Sequence, residues 1–149
     1  MLLKKWVSEK RLEVHKTNSD EIRNLFDLVE RDIRDAMIVQ LSADRRFATV
    51  YNAALQLATI ALHVGGYRVK GGSAGHHWVT ISSIPDIMGR NQKNRSDYFN
   101  ACRTKRNITD YDRVGEISEE EVSDLIREVK EFKRDVITWI KQKYHDLLV

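Results

Sequence analysis

Apolar side chains recur at three- and four-residue spacing over three long stretches of this chain, separated by polar or glycine-rich segments. In the first stretch Ile22, Leu25, Phe26, Val29, Ile33, Ala36 and Met37 fall on one face, the periodicity of an amphipathic helix. Asn18, Ser19 and Asp20 all offer N-terminal caps and Glu21 suits the positive end of a helix dipole, so the helix is expected from Ser19 or Asp20 to about Gln40. Ser42 or Asp44 caps a second helix with Phe47, Val50, Tyr51, Ala54, Leu55, Ala58, Ala61 and Leu62 on its apolar face, and Gly65 and Gly66 stop it. A tight turn between the two predicts an antiparallel pair.

Five of the seven glycines then fall between Gly65 and Gly75, which marks the main loop. Beyond it Trp78, Val79, Ile81 and Ile84 suggest a short helix, with Ser83 and Pro85 placed to end it and start another turn through Met88. Lys93 to about Tyr111 reads as a helix that is apolar at Tyr98, Phe99, Ala101 and Cys102 and strongly polar afterwards. Ser118 with Glu121 forms a capping-box pattern, and Val122, Leu125, Ile126, Val129, Phe132, Val136, Ile140, Tyr144 and Leu147 carry the third stripe for about seven turns. The expected fold is all-α, an antiparallel bundle of four or five helices over residues 19–149. Residues 1–18 precede it as an arm or short helix, with Leu3 to Val7 and Arg11 to Val14 readable either way.

A chain of 149 residues suits one domain with its own core. Its single cysteine, Cys102, has no internal disulfide partner and reads as a small buried apolar residue, which fits a reducing, cytoplasmic setting. Met1 to Trp6 lack the apolar core of a signal peptide. The most apolar stretch, Ala53 to Val64, is broken by Gln56, Thr59 and His63 and is shorter than the roughly 20 residues of a membrane span. A membrane partner is therefore not expected.

The net charge is only +3, but its distribution is uneven. Between Arg68 and Arg113 nine Lys/Arg face four Asp, a local balance of +5, whereas Val114 to the end carries −3. Any anionic ligand is directed to the middle of the chain. There the segment Arg103 to Arg113 collects polar and charged groups where a bundle helix should still be packing. Arg106 and Asp110 are i, i+4 neighbours, as are Asn107 and Tyr111, and Arg103 lies beside Arg106 and Asn107. Guanidinium forks, an amide and a phenol are groups that hold phosphate, although an ordinary hydrogen-bonded network with Asp110 neutralising Arg106 has the same spacing.

Other motifs are weaker. His76 and His77 are adjacent, but no His-x-x-x-His, Glu-x-x-His or Cys-x-x-Cys spacing accompanies them, so no metal site is expected; packing, capping or a place at a ligand cleft fits them. His15, His63 and His145 lie singly and read as surface or core histidines. Lys70 to Gly75 is not a phosphate loop, since no lysine closes it and no strand is expected before it. Nothing in the chain calls for a cofactor.

In order, the long helix pair, the glycine-rich loop, the short helix after His76-His77, the helix bearing Arg-Asn and the final long helix resemble the HEPN superfamily. The likeness runs from Asp20 to Leu148 and includes Ala53 to Ala58, Gly66-Tyr67-Arg68, Gly75-His76-His77 and Lys105 to Tyr111. What the resemblance implies is a HEPN-like bundle whose catalytic relatives are metal-independent endoribonucleases with an Arg-x(4 to 6)-His motif, two copies of which meet across a homodimer. Arg106 matches the motif arginine and Asn107 its polar position, but Tyr111 stands where the histidine belongs. Histidine moves protons near neutral pH and tyrosine, near pKa 10, does not. Binding of RNA or a nucleotide through Arg103, Arg106, Asn107, Asp110, Tyr111, His76 and His77 is thus expected ahead of cleavage by Arg106, Asn107 and Tyr111. The resemblance leaves two other readings, an endoribonuclease toxin of a toxin–antitoxin or defence system, and a helical subunit paired with a nucleotidyltransferase-type antitoxin.

Overall fold

The computed structural model describes residues 2–71, 75–111 and 116–148, with 108–111 described by backbone alone. Helix α1 (Leu2–Ser8) and strand β1 (Leu12–Val14) lead into the long pair α2 (Ser19–Ala36) and α3 (Ala43–Val64). Strand β2 (Tyr67–Val69) follows, then the short helices α4 (His76–Ser82) and α5 (Ile84–Met88), then α6 (Lys93–Tyr111) and α7 (Glu119–Lys143). The chain is mostly helical, as expected, but it is not purely so. The strands pair antiparallel, Leu12 with Val69 and Val14 with Tyr67, so a strand does precede the glycine-rich loop. Each strand is only three residues long, too short for periodicity to reveal.

Helix α3 is the centre of the bundle. Val50, Tyr51, Ala53, Ala54, Leu57, Ala58 and Ile60 are fully buried, so the helix is apolar on more than one face because α2, α6 and α7 cover different sides of it. By length and composition it is also apolar enough to cross a bilayer, yet 61% of its most apolar window is buried, as in the core helix of a globular domain. Phe99 of α6 and Phe132 of α7 meet at 5.4 Å between ring centroids and close the opposite side of the core. A smaller cluster of Leu3, Trp6, Leu12, Leu62 and Val79 joins α1 and the β-ribbon to α3 and α4.

Local chemistry sets the ends. Asn18 accepts the Glu21 N–H at 2.9 Å, Ser42 the Arg45 N–H at 3.3 Å, and Ser118 with Glu121 completes the capping box on α7. Helix α2 stops at Ala36, short of the expected Gln40, because the buried Arg46 donates to the Ala36 carbonyl at 2.7 Å and occupies the helix end; the same guanidinium reaches Glu119 at 2.7 Å. Met37 is consequently exposed rather than on the stripe, as is Val39 beyond it. Helix α7 ends at Lys143, and Tyr144 and Leu147 lie beyond it, Leu147 in a 3₁₀ turn that folds back on α2.

A candidate anion site between α4 and α6

Helix α4 is held firmly for its length. The left-handed backbone of Gly75 (φ 69°) starts it, a conformation that favours glycine. Ser96 of α6 donates to the Ile81 carbonyl at 2.9 Å, Asn100 donates to Ser82 Oγ at 3.0 Å, and Trp6 packs edge-on against Trp78 at 5.6 Å. These contacts fix the face of α4 that carries His77 against the polar part of α6.

There His77, Arg103 and Arg106 converge on Tyr51 of α3. The His77 ring lies 6.4 Å from the Tyr51 ring, and the Arg106 guanidinium sits over that ring at 5.5 Å, a cation–π contact. His76 is exposed and packs edge-on against His77 at 4.4 Å. Arg103, Arg106 and Asn107 are half-buried. The Nε of Arg103 and the hydroxyl of Tyr51 are buried with no hydrogen-bond partner among the described residues. Such orphaned donors beside a guanidinium pair are a feature that an anion satisfies.

The electrostatics agree with the geometry. Burial pushes the Tyr51 phenol up to about 12 even though Arg103 and Arg106 pull it the other way, so it stays protonated and can donate. His77 is held below the ordinary imidazole value by burial first, then by the charges of His76, Arg106 and Arg103. At neutral pH it is a neutral imidazole facing positive charge. Cys102, next to Arg103 in the chain, is buried and its thiol is pushed up to about 11, consistent with an inert core residue.

Of the residues expected to act together, the structure brings His76, His77, Arg103 and Arg106 to one place, with Asn107 on the same helix. Asp110 and Tyr111 continue the α6 backbone, but their side chains, and with them the expected pairs Arg106–Asp110 and Asn107–Tyr111, lie outside the described residues. Tyr51 was expected only as a core residue; its sequence position carries no sign that its ring forms the floor of a polar site. The glycine-rich loop enters a helix at Gly75 and does have a strand before it, but it still lacks the closing lysine of a phosphate loop.

Two histidines expected to stand singly do not. His15 and His63 both reach Glu21, at 2.7 and 2.9 Å, and this group lies toward the other end of α3. Neither it nor the α4–α6 site has a precedent to borrow from, because no protein-family model, no curated protein and no solved structure matches this chain.

Proposed function

We propose that the chain is a HEPN-like module that binds RNA or a nucleotide through its phosphate, at a cleft completed by a second copy. The observation that carries this reading is the convergence of Arg103, Arg106 and His77 on Tyr51. Guanidinium groups supply planar donors for phosphate oxygens, and the half-buried setting strengthens each charge-assisted bond relative to water. The excess of basic residues between Arg68 and Arg113 supports the same ligand class, since backbone charge dominates nucleic-acid affinity. The order of elements that resembles HEPN proteins supports pairing through α6.

One observation favours a second reading, metal-independent RNA cleavage. Tyr111 takes the place of the family's histidine, but His77 brings an imidazole to the arginines from another helix. In that reaction neutral His77 takes the proton of a ribose 2′-hydroxyl, whose oxygen attacks the adjacent phosphorus. Arg103 and Arg106 stabilise the charge that builds on the phosphoryl oxygens, and the bond to the 5′-oxygen breaks, leaving a 2′,3′-cyclic phosphate and a 5′-hydroxyl whose proton comes from the His77 imidazolium or from water.

A cleavage and binding assay without divalent metal separates the readings, using the natural protein, Arg106→Ala, His77→Ala and Tyr111→His. RNA binding lost in Arg106→Ala, without cleavage by the natural protein, supports the binding module. Cleavage abolished by both Arg106→Ala and His77→Ala supports the nuclease. No affinity of the natural protein for RNA or nucleotides, or binding indifferent to Arg106→Ala, overturns the assignment. A monomer by light scattering at micromolar concentration, with RNA present, overturns the composite cleft.

A further inference from the structure

We infer that His15, Glu21 and His63 form a binding site for one zinc-type divalent cation that clips the β-ribbon to the α2–α3 pair. The three residues come from separate elements: His15 follows β1, Glu21 lies in the first turn of α2, and His63 in the last turn of α3. Their ligand atoms all lie within 4.8 Å of one another. His15 Nε2 and His63 Nδ1 both point at Glu21 Oε1, at 2.7 and 2.9 Å, and the two rings meet edge-on at 4.8 Å.

Two imidazoles and one carboxylate are a donor set that zinc and other late first-row divalent ions prefer. Bonds of about 2.0–2.2 Å in tetrahedral geometry put ligand atoms about 3.4 Å apart, so the nitrogen–oxygen pairs must open by about 0.5–0.7 Å. Glu21 has the most room to make that adjustment, since its side chain is 35% exposed while those of His15 and His63 are 15% and 16% exposed, and the two imidazole nitrogens must also settle at that spacing.

The frame around the ligands is fixed. His15 N–H donates to the Gly66 carbonyl at 2.8 Å, and Asn18 caps the Glu21 N–H. Thr17 Oγ1 donates to Glu21 Oε1 at 2.7 Å, the kind of outer contact that orients a ligating carboxylate. Protonation of both imidazoles would set two like charges side by side with one carboxylate between them, whereas a dication leaves both neutral. Three protein ligands leave a fourth position for water. The site is independent of the anion site: His63 is twelve residues along α3 from Tyr51, about 18 Å at 1.5 Å per residue.

The test uses the full chain, stripped with a chelator and titrated with Zn²⁺ by calorimetry and thermal melting, and with Co²⁺ by visible absorption. The expected result is one equivalent bound, a melting temperature that rises with Zn²⁺, and Co²⁺ bands of a low-coordinate site. Glu21→Gln and His63→Gln should each weaken binding by about tenfold or more. Glu21→Gln keeps the size and much of the hydrogen bonding of a half-exposed residue, so it remains informative if His63→Gln fails to fold. Absence of saturable binding to the natural chain overturns the inference, as do equal binding by Glu21→Gln and loss of binding in His76→Ala/His77→Ala instead.

Discussion

Helix α3 presents two histidine environments that start alike and diverge. Near its middle, Tyr51 floors a site where His77 meets Arg103 and Arg106; in its last turn, His63 meets Glu21 and His15. Burial lowers the affinity of both His77 and His63 for a proton. The neighbours then act oppositely. Arg106 and Arg103 push His77 further in the same direction with no carboxylate against them, whereas Glu21 pulls His63 back against His15 and Arg68. One imidazole is set among donors and positive charge, an arrangement that wants an anion. The other is set against a carboxylate and a second imidazole, an arrangement that wants a cation. Residue type alone distinguishes nothing here; the sign of the surrounding charge does.

The largest expected effect removes the frame the two regions share. Leu57 is fully buried on α3, midway between Tyr51 and His63. Leu57→Ala should cost about 2–5 kcal/mol in chemical denaturation, through lost burial and the cavity left behind. The folded fraction should still bind RNA with natural affinity, because neither polar group is touched.

Next comes the arginine pair. Arg106→Ala should weaken RNA binding by about ten- to a hundredfold, the value of one or two charge-assisted hydrogen bonds, and flatten its salt dependence. Stability should fall by only about 1 kcal/mol, from loss of the cation–π contact with Tyr51. Zn²⁺ binding by the same variant should be unchanged in calorimetry.

A smaller effect follows acidification. The folded values of His63 and His77 lie below the ordinary one, so just below that value the unfolded chain binds more protons than the folded one. Stability is therefore full above pH about 6.5 and declines as pH falls through the window beneath it. Glu21, whose carboxyl is drawn down by the hydrogen bonds of His15 and Thr17 and the charge of His63 against the opposing pull of burial, adds a further loss at still lower pH. Melting temperatures measured from pH 7.5 to 5.5 should fall, and His63→Gln should fall less.

The smallest change is expected at Tyr51→Phe. Its buried hydroxyl has no partner among the described residues, so stability should stay within about 1 kcal/mol of the natural protein or rise. A drop in RNA affinity without a drop in stability would place that hydroxyl on the ligand.

What could be read along the chain is what neighbours in sequence decide. The capping box at Ser118, the Ser42 cap and the span of α6 from Lys93 to Tyr111 all follow from local pattern. The ribbon does not, because it pairs residues 53 to 57 apart over only three positions. Nor does the early end of α2, which depends on Arg46 reaching back to Ala36. At the functional level, Arg103, Arg106 and the His76-His77 pair stood out as charge and imidazole in a polar setting. Their meeting on Tyr51 did not, and Tyr51 looked like any other position on an apolar stripe. His15, Glu21 and His63 showed even less, since the histidines are 48 residues apart and no short spacing connects them.

The most direct test follows the side-chain nitrogens of His77 and His63 by NMR while a short oligoribonucleotide, and inorganic phosphate separately, is added without divalent metal. If the α4–α6 cluster is an anion site, His77 resonances shift on addition and its proton affinity rises as negative charge offsets Arg103 and Arg106, while His63 stays unmoved. An unmoved His77 at saturating oligonucleotide, or equal shifts at both histidines, would contradict it.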